Sequence, residues 1–96
     1  MERMCIALRY AINVTGTVQG VGFRYYVSQS AARLGLTGWV KNEWDSSVSL
    51  EAQGDFHTLE KFLNEVQHGS TWAEVEHLSC RKIADIPWET EFRILH

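Results

Sequence analysis

The sequence predicts an α+β fold, a two-layer sandwich in which an antiparallel sheet carries both helices on one face. Three observations point there. Apolar residues switch between two-residue and helical spacing in the order β-α-β-β-α-β, with a short extra strand at the C-terminal end. Each helical stretch has one apolar stripe, which is what a helix needs to cover one face of a sheet. At 96 residues, 45% hydrophobic and 22% charged, the chain suffices for one domain, residues 1–96, with a real core.

Leu8, Tyr10, Ile12 and Val14 alternate with Arg9, Ala11, Asn13 and Thr15, which predicts the first strand. A glycine-rich loop follows. Phe23, Val27, Ala31 and Leu34 then recur at helical spacing, and Gly35 stands where a left-handed C-cap belongs. Leu36 to Lys41 reads as a second strand, Asn42 to Ser46 as a turn, and Val48, Leu50 and Ala52 as a third strand completing a hairpin. Asp55 is a good N-cap. Leu59, Phe62, Leu63 and Val66 form the stripe of a second helix, closed by Gly69. Ala73, Val75 and Leu78 predict a fourth strand whose parity breaks after Val75, so a bulge or an early end is expected there. Asp85 to Trp88 is a loop, and Phe92 and Ile94 make a short last strand. This order with both helices on one face is the ferredoxin-like arrangement. Phe23 and Trp39 are expected as core anchors.

The composition excludes several classes. A net charge of −3 argues against a nucleic-acid partner. Cys5 and Cys80 have no CxxC spacing or neighbouring base and read as structural thiols in a reducing compartment. The short apolar run Met4 to Leu8 is too short for a signal core or a membrane span, so no membrane partner and a cytoplasmic location are expected. His57, His68, His77 and His96 show no ligand spacing, with His57 and His68 on the polar side of the second helix. No metal or cofactor is expected.

Chemistry concentrates in Gly16-Thr17-Val18-Gln19-Gly20-Val21-Gly22-Phe23-Arg24, between a strand and a helix start. Glycines permit φ > 0 and close backbone approach. A helix N-terminus adds unpaired N–H groups and partial positive charge. Together they suit an oxyanion, and Arg24 adds a planar cationic fork. Taken alone, the loop is as readily a tight connection, Arg24 a solvated helix residue, and Asn42 a turn residue. No Gly-Lys-Ser/Thr follows, and the third glycine of GxGxxG is missing, so nucleotide loops are excluded.

Val14 to Arg24 resembles the signature of the acylphosphatases, and a second family block is similar to Ala32-Arg33-Leu34-Gly35-Leu36-Thr37-Gly38-Trp39-Val40-Lys41-Asn42. Weaker likeness runs on to Phe92-Arg93-Ile94. The resemblance implies the ferredoxin-like fold and hydrolysis of the carboxyl–phosphate bond of small acyl phosphates, with inorganic phosphate as product and competitive inhibitor. It implies that Arg24 and the backbone of Gln19, Gly20, Val21, Gly22 and Phe23 bind phosphate, and that Asn42 positions the attacking water. A monomer is expected.

The chain departs from the family pattern after Asn42, where Glu43-Trp44-Asp45-Ser46 stands. Ser46 replaces the usual glycine and is strained if φ is positive there. Glu43 is expected to bring negative charge near the anion site. Trp44 is either a pocket rim or an ordinary exposed aromatic. Gly69-Ser70 replaces the usual Gly-Pro. The alternative reading is a non-catalytic anion or carbamoyl-phosphate-binding module on the same fold. RNA-binding domains share the element order but need stacking aromatics on central strands, and Val48-Ser49-Leu50-Glu51-Ala52 has none.

Overall fold

The computed structural model describes residues 7–96. The elements are β1 (Leu8–Thr17), α1 (Phe23–Arg33), β2 (Thr37–Asn42), β3 (Val48–Gly54), α2 (Phe56–His68), β4 (Glu74–Ile83) and β5 (Phe92–Ile94). They form one sheet in the order β4-β1-β3-β2-β5. The first four strands pair antiparallel, as expected. The short last strand instead joins β2 in parallel, with Val40 opposite Ile94. That direction follows from its connection, since residues 84–91 carry the chain from one sheet edge to the other and deliver β5 antiparallel to β4.

Strand parity sorts the side chains. Ile12 and Val14 of β1, Val40 of β2, and Val48, Leu50 and Ala52 of β3 are buried in one core with Phe23, Val27 and Ala31 of α1 and Leu59, Phe62 and Val66 of α2. Full burial of each such aliphatic or aromatic side chain contributes about 1.5–3 kcal/mol. Phe62 meets Phe92 edge to face at 6.3 Å, which ties α2 to β5. Tyr26 Oη donates to the Glu65 carbonyl at 2.9 Å, joining the helices.

Most predicted boundaries hold. Asp55 caps α2 by accepting from the Thr58 amide at 2.9 Å, and Gly35, at φ 72°, follows α1. The parity break in β4 is a bulge: Thr15 pairs with His77 and Gly16 with Val75, leaving Glu76 between. The strand does not end early, however, and continues to Ile83. Its polar second half was illegible because β4 lies at the sheet edge, where neither face needs an apolar row.

Two residues depart from their expected roles. Trp39 follows buried Gly38 and precedes buried Val40, so parity turns it onto the helix-free face, where it is half-buried. Cys80 is exposed on β4 rather than structural, and Cys5 lies outside the described residues. His57 and His68 are exposed, as read.

The helix-free face holds an unforeseen buried charge. Arg9 has no exposed side-chain surface. Its guanidinium donates to Glu51 at 2.8 Å, to Glu89 at 2.7 Å and to Gln53 Oε1 at 3.1 Å. Burial alone pulls the Arg9 pKa down, but the hydrogen bonds and charges of Glu89 and Glu51 outweigh it and hold the group above its ordinary value. Gln53 also exchanges two bonds with the Ile86 backbone, at 2.7 and 3.0 Å. These contacts pin the 84–91 crossing to the sheet. Among the described residues, no helix is long and apolar enough to cross a membrane.

Candidate active site

The loop after β1 turns twice through left-handed backbone, at Gly20 (φ 75°) and Gly22 (φ 77°). Gln19 and Val21 have ordinary φ, so the sign alternates along the loop, the pattern that gathers successive N–H groups around an anion. A Cβ on either glycine would meet nothing within 4 Å. Conformation, not crowding, therefore calls for glycine here.

Gly22 is the N-cap of α1 and supplies no side-chain cap. The first helical bond runs from the Tyr26 amide to the Gly22 carbonyl at 3.0 Å. The amides of Phe23, Arg24 and Tyr25 therefore lack intrahelical partners, and no acidic side chain sits in the first turn to occupy them. Phe23 is fully buried beneath the loop and anchors it.

A cavity of about 230 Å³ opens at this helix start. Gly20, Gly22, Phe23 and Arg24 line it with Asn42 from the end of β2 and Ile94 and His96 from the C-terminal segment. The two side chains singled out in the sequence, eighteen positions apart, thus share one cleft. Arg24 Nη1 donates to the Leu95 carbonyl at 3.3 Å. No carboxylate pairs with Arg24 among the described residues, so its charge stays available to a ligand. Asn42 Oδ1 is buried and accepts no hydrogen bond from the protein. An acceptor left so costs about 1–3 kcal/mol unless a donor reaches it.

Gln19 and Val21 do not line the cleft. Val21 packs against the core. The Gln19 side chain turns to the β2–β3 turn instead, its Nε2 donating to the carbonyls of Glu43 at 2.9 Å and Ser47 at 2.8 Å. Glu43 itself does not face the anion site. It lines a separate hollow of about 360 Å³ on the helix-free face with Trp39, Lys41 and Arg81. The reason is parity again, since Asn42 points to the helices and its neighbours point away. Trp44 is fully exposed in the turn.

The contribution of Ile94, Leu95 and His96 was not readable beforehand. They reach the cleft only because β5 pairs with β2, a contact between segments some fifty residues apart.

The β2–β3 turn is held firmly. The Ser47 hydroxyl and amide donate to Asp45 Oδ1 at 2.5 and 3.0 Å and hold its carboxyl below the usual carboxylate range. Asn13 Nδ2 donates to Ser47 Oγ at 3.1 Å. Ser46, at φ 75°, is the one non-glycine residue with positive φ among those described, which realises the strain anticipated for it. Relief of left-handed strain contributes about 1–2 kcal/mol, offset by about 0.4–1 kcal/mol of added unfolded-state entropy. Ser46→Gly is therefore expected to stabilise, raising Tm by about 2–6 °C in a thermal melt. A lower Tm would show that the turn carries no such strain.

The family model described as Acylphosphatase matches residues 10–94. A protein of Oceanobacillus iheyensis named Acylphosphatase is 44% identical over 84 residues, covering 86% of this chain and 92% of that one. Another of that name from Clostridium acetobutylicum is 43% identical over 88 residues, covering 92% and 97%. The crystal structure of acylphosphatase from Bacillus subtilis aligns with a TM-score of 0.89 at 38% identity, covering 93% of this chain and 99% of that one. The matching family model, the two relatives above 40% identity over most of both chains and the shared fold agree, and the chain belongs to the acylphosphatase family of hydrolases.

Proposed function

We propose that the chain hydrolyses small acyl phosphates to a carboxylate and inorganic phosphate, with Arg24 and the loop backbone binding the phosphoryl group and Asn42 placing the water. The observation that carries this reading is the shared cleft. Among the described residues, a permanent cation without a carboxylate partner, free helix-start amides and an unpaired amide oxygen all meet there. A volume of about 230 Å³ is below the range of pockets for drug-sized ligands, which suits a small substrate.

The residue types suit the chemistry. A carboxylate is a good leaving group, so its departure needs little acid catalysis. What remains is to stabilise charge on the phosphoryl oxygens and to align water with phosphorus. The guanidinium and the backbone amides of Gly20 and of Gly22 to Tyr25 supply the first. Asn42 Oδ1 supplies the second by accepting one water hydrogen, which directs a lone pair at phosphorus. An amide is not a base, so the other water proton passes to a phosphoryl oxygen of the substrate itself. The expected signature is a rate without a step across the pH range where histidines titrate; a step there that vanishes in His96→Ala would overturn it.

The deciding experiment is turnover of benzoyl phosphate without added metal, in the wild type and in Asn42→Ala. The variant is expected to lose about 10²-fold or more in kcat, with the inhibition constant of phosphate nearly unchanged. An inactive but phosphate-binding wild type would favour the anion-binding module instead. A variant as fast as the wild type would remove Asn42 from the mechanism.

A further inference from the structure

We propose that the Gln19 side chain is a positioning residue that fixes the distance between the phosphate loop and the water-bearing end of β2. The inference rests on the role of Asn42 proposed above. Gln19 precedes the two left-handed glycines, the most freely rotating part of the loop. Its Nε2 spends both hydrogens on carbonyls of the opposite hairpin, Glu43 at 2.9 Å and Ser47 at 2.8 Å. Only the NH₂ end can face two carbonyl oxygens, because Oε1 in its place would meet them lone pair to lone pair.

Those two carbonyls are well-placed anchor points. The Glu43 amide donates to the Ser47 carbonyl at 2.9 Å, closing the hairpin directly after Asn42. The Asp45–Ser47–Asn13 bonds stiffen it from within, and Ser47 is buried. The loop is thus tethered to a rigid turn through one side chain, and that turn carries Asn42. In-line attack needs reacting atoms about 3–3.5 Å apart, and a shift of about 1 Å costs on the order of 10²-fold in rate. Gln19 does not line the cleft, so it acts on the reaction only through what it holds apart.

The test is a double-mutant cycle read in kcat for benzoyl phosphate and in the inhibition constant of inorganic phosphate. Gln19→Met keeps the side chain's length and removes the donors; Gln19→Ala removes both. Each is made alone and with Asn42→Ala, with folding followed by circular dichroism. Alone, each is expected to lower kcat about 10-fold or more and to change the phosphate constant less than about 3-fold. In the Asn42→Ala background the same change is expected to cost less than about 2-fold, because the group being positioned is gone. Equal losses in both backgrounds, or a phosphate constant that weakens as much as kcat falls, would overturn the proposal and leave Gln19 a structural brace. A folded Gln19→Met at full rate would overturn it also. If Gln19→Ala fails to fold, Gln19→Met alone decides. An Asn42→Ala enzyme at full rate is a different failure, since it removes the mechanism on which the proposal rests.

Discussion

Arg24→Ala is expected to reduce kcat/KM for benzoyl phosphate by about 10³-fold or more, which is about 4 kcal/mol of lost transition-state stabilisation. The size follows from the surroundings. Arg24 is half-buried, lines the cleft and has one protein partner, the Leu95 carbonyl, among the described residues. Its remaining N–H groups are free to grip two phosphoryl oxygens at once. Arg24→Lys keeps the charge but not the fork, and is expected to lose at least about 10²-fold. Neither change disturbs the core, so each variant is expected to melt within a few degrees of the wild type. Steady-state kinetics beside a thermal melt checks both halves. A rate within about 10-fold of wild type in a folded Arg24→Ala would show that the loop amides suffice without the guanidinium.

The largest stability effect is expected at the other face. Arg9→Met should cost about 3–5 kcal/mol in urea denaturation, a large share of the about 5–15 kcal/mol typical of a small domain. The substitution fills the space but removes the cation between Glu51 and Glu89, whose side chains are only 24% and 15% exposed. The two carboxylates are then left partly buried and facing each other. Arg9→Met with Glu51→Gln and Glu89→Gln is expected to recover much of the loss, since no unpaired charge remains. If Arg9→Met alone stays within about 1 kcal/mol of wild type, the network does not hold the 84–91 crossing.

Fold and site were legible in the sequence to different depths. The periodicities in β1, α1, β3 and α2 are local, and local steric rules turned them into elements with nearly correct ends. The signature loop carries Gly20, Gly22 and Arg24, and the second block carries Asn42, so two sequence motifs hold much of the cleft's lining. Parity explains the errors. Residue type alone puts Trp39 in the core and Glu43 near the anion, whereas their neighbours Val40 and Asn42 take the helix side of β2. Arg9 was unreadable for another reason. Its burial depends on Glu89, eighty positions away, brought over by a crossing that no local pattern announces. The same distance hid Leu95 and His96 from the cleft.

The parallel docking of β5 has a consequence for how activity is lost. Only three residues form the strand, and the flanking bonds from Gly38 to Glu91 and from Leu95 to Val40 fasten it to β2. Segments this short open at far less cost than the whole domain. Opening would withdraw the carbonyl that aims Arg24 and one wall of the cleft, while the helices and four antiparallel strands stayed packed. On warming, activity is therefore expected to fall before the circular dichroism spectrum changes, because the site needs its last strand in place and the bulk of the secondary structure does not.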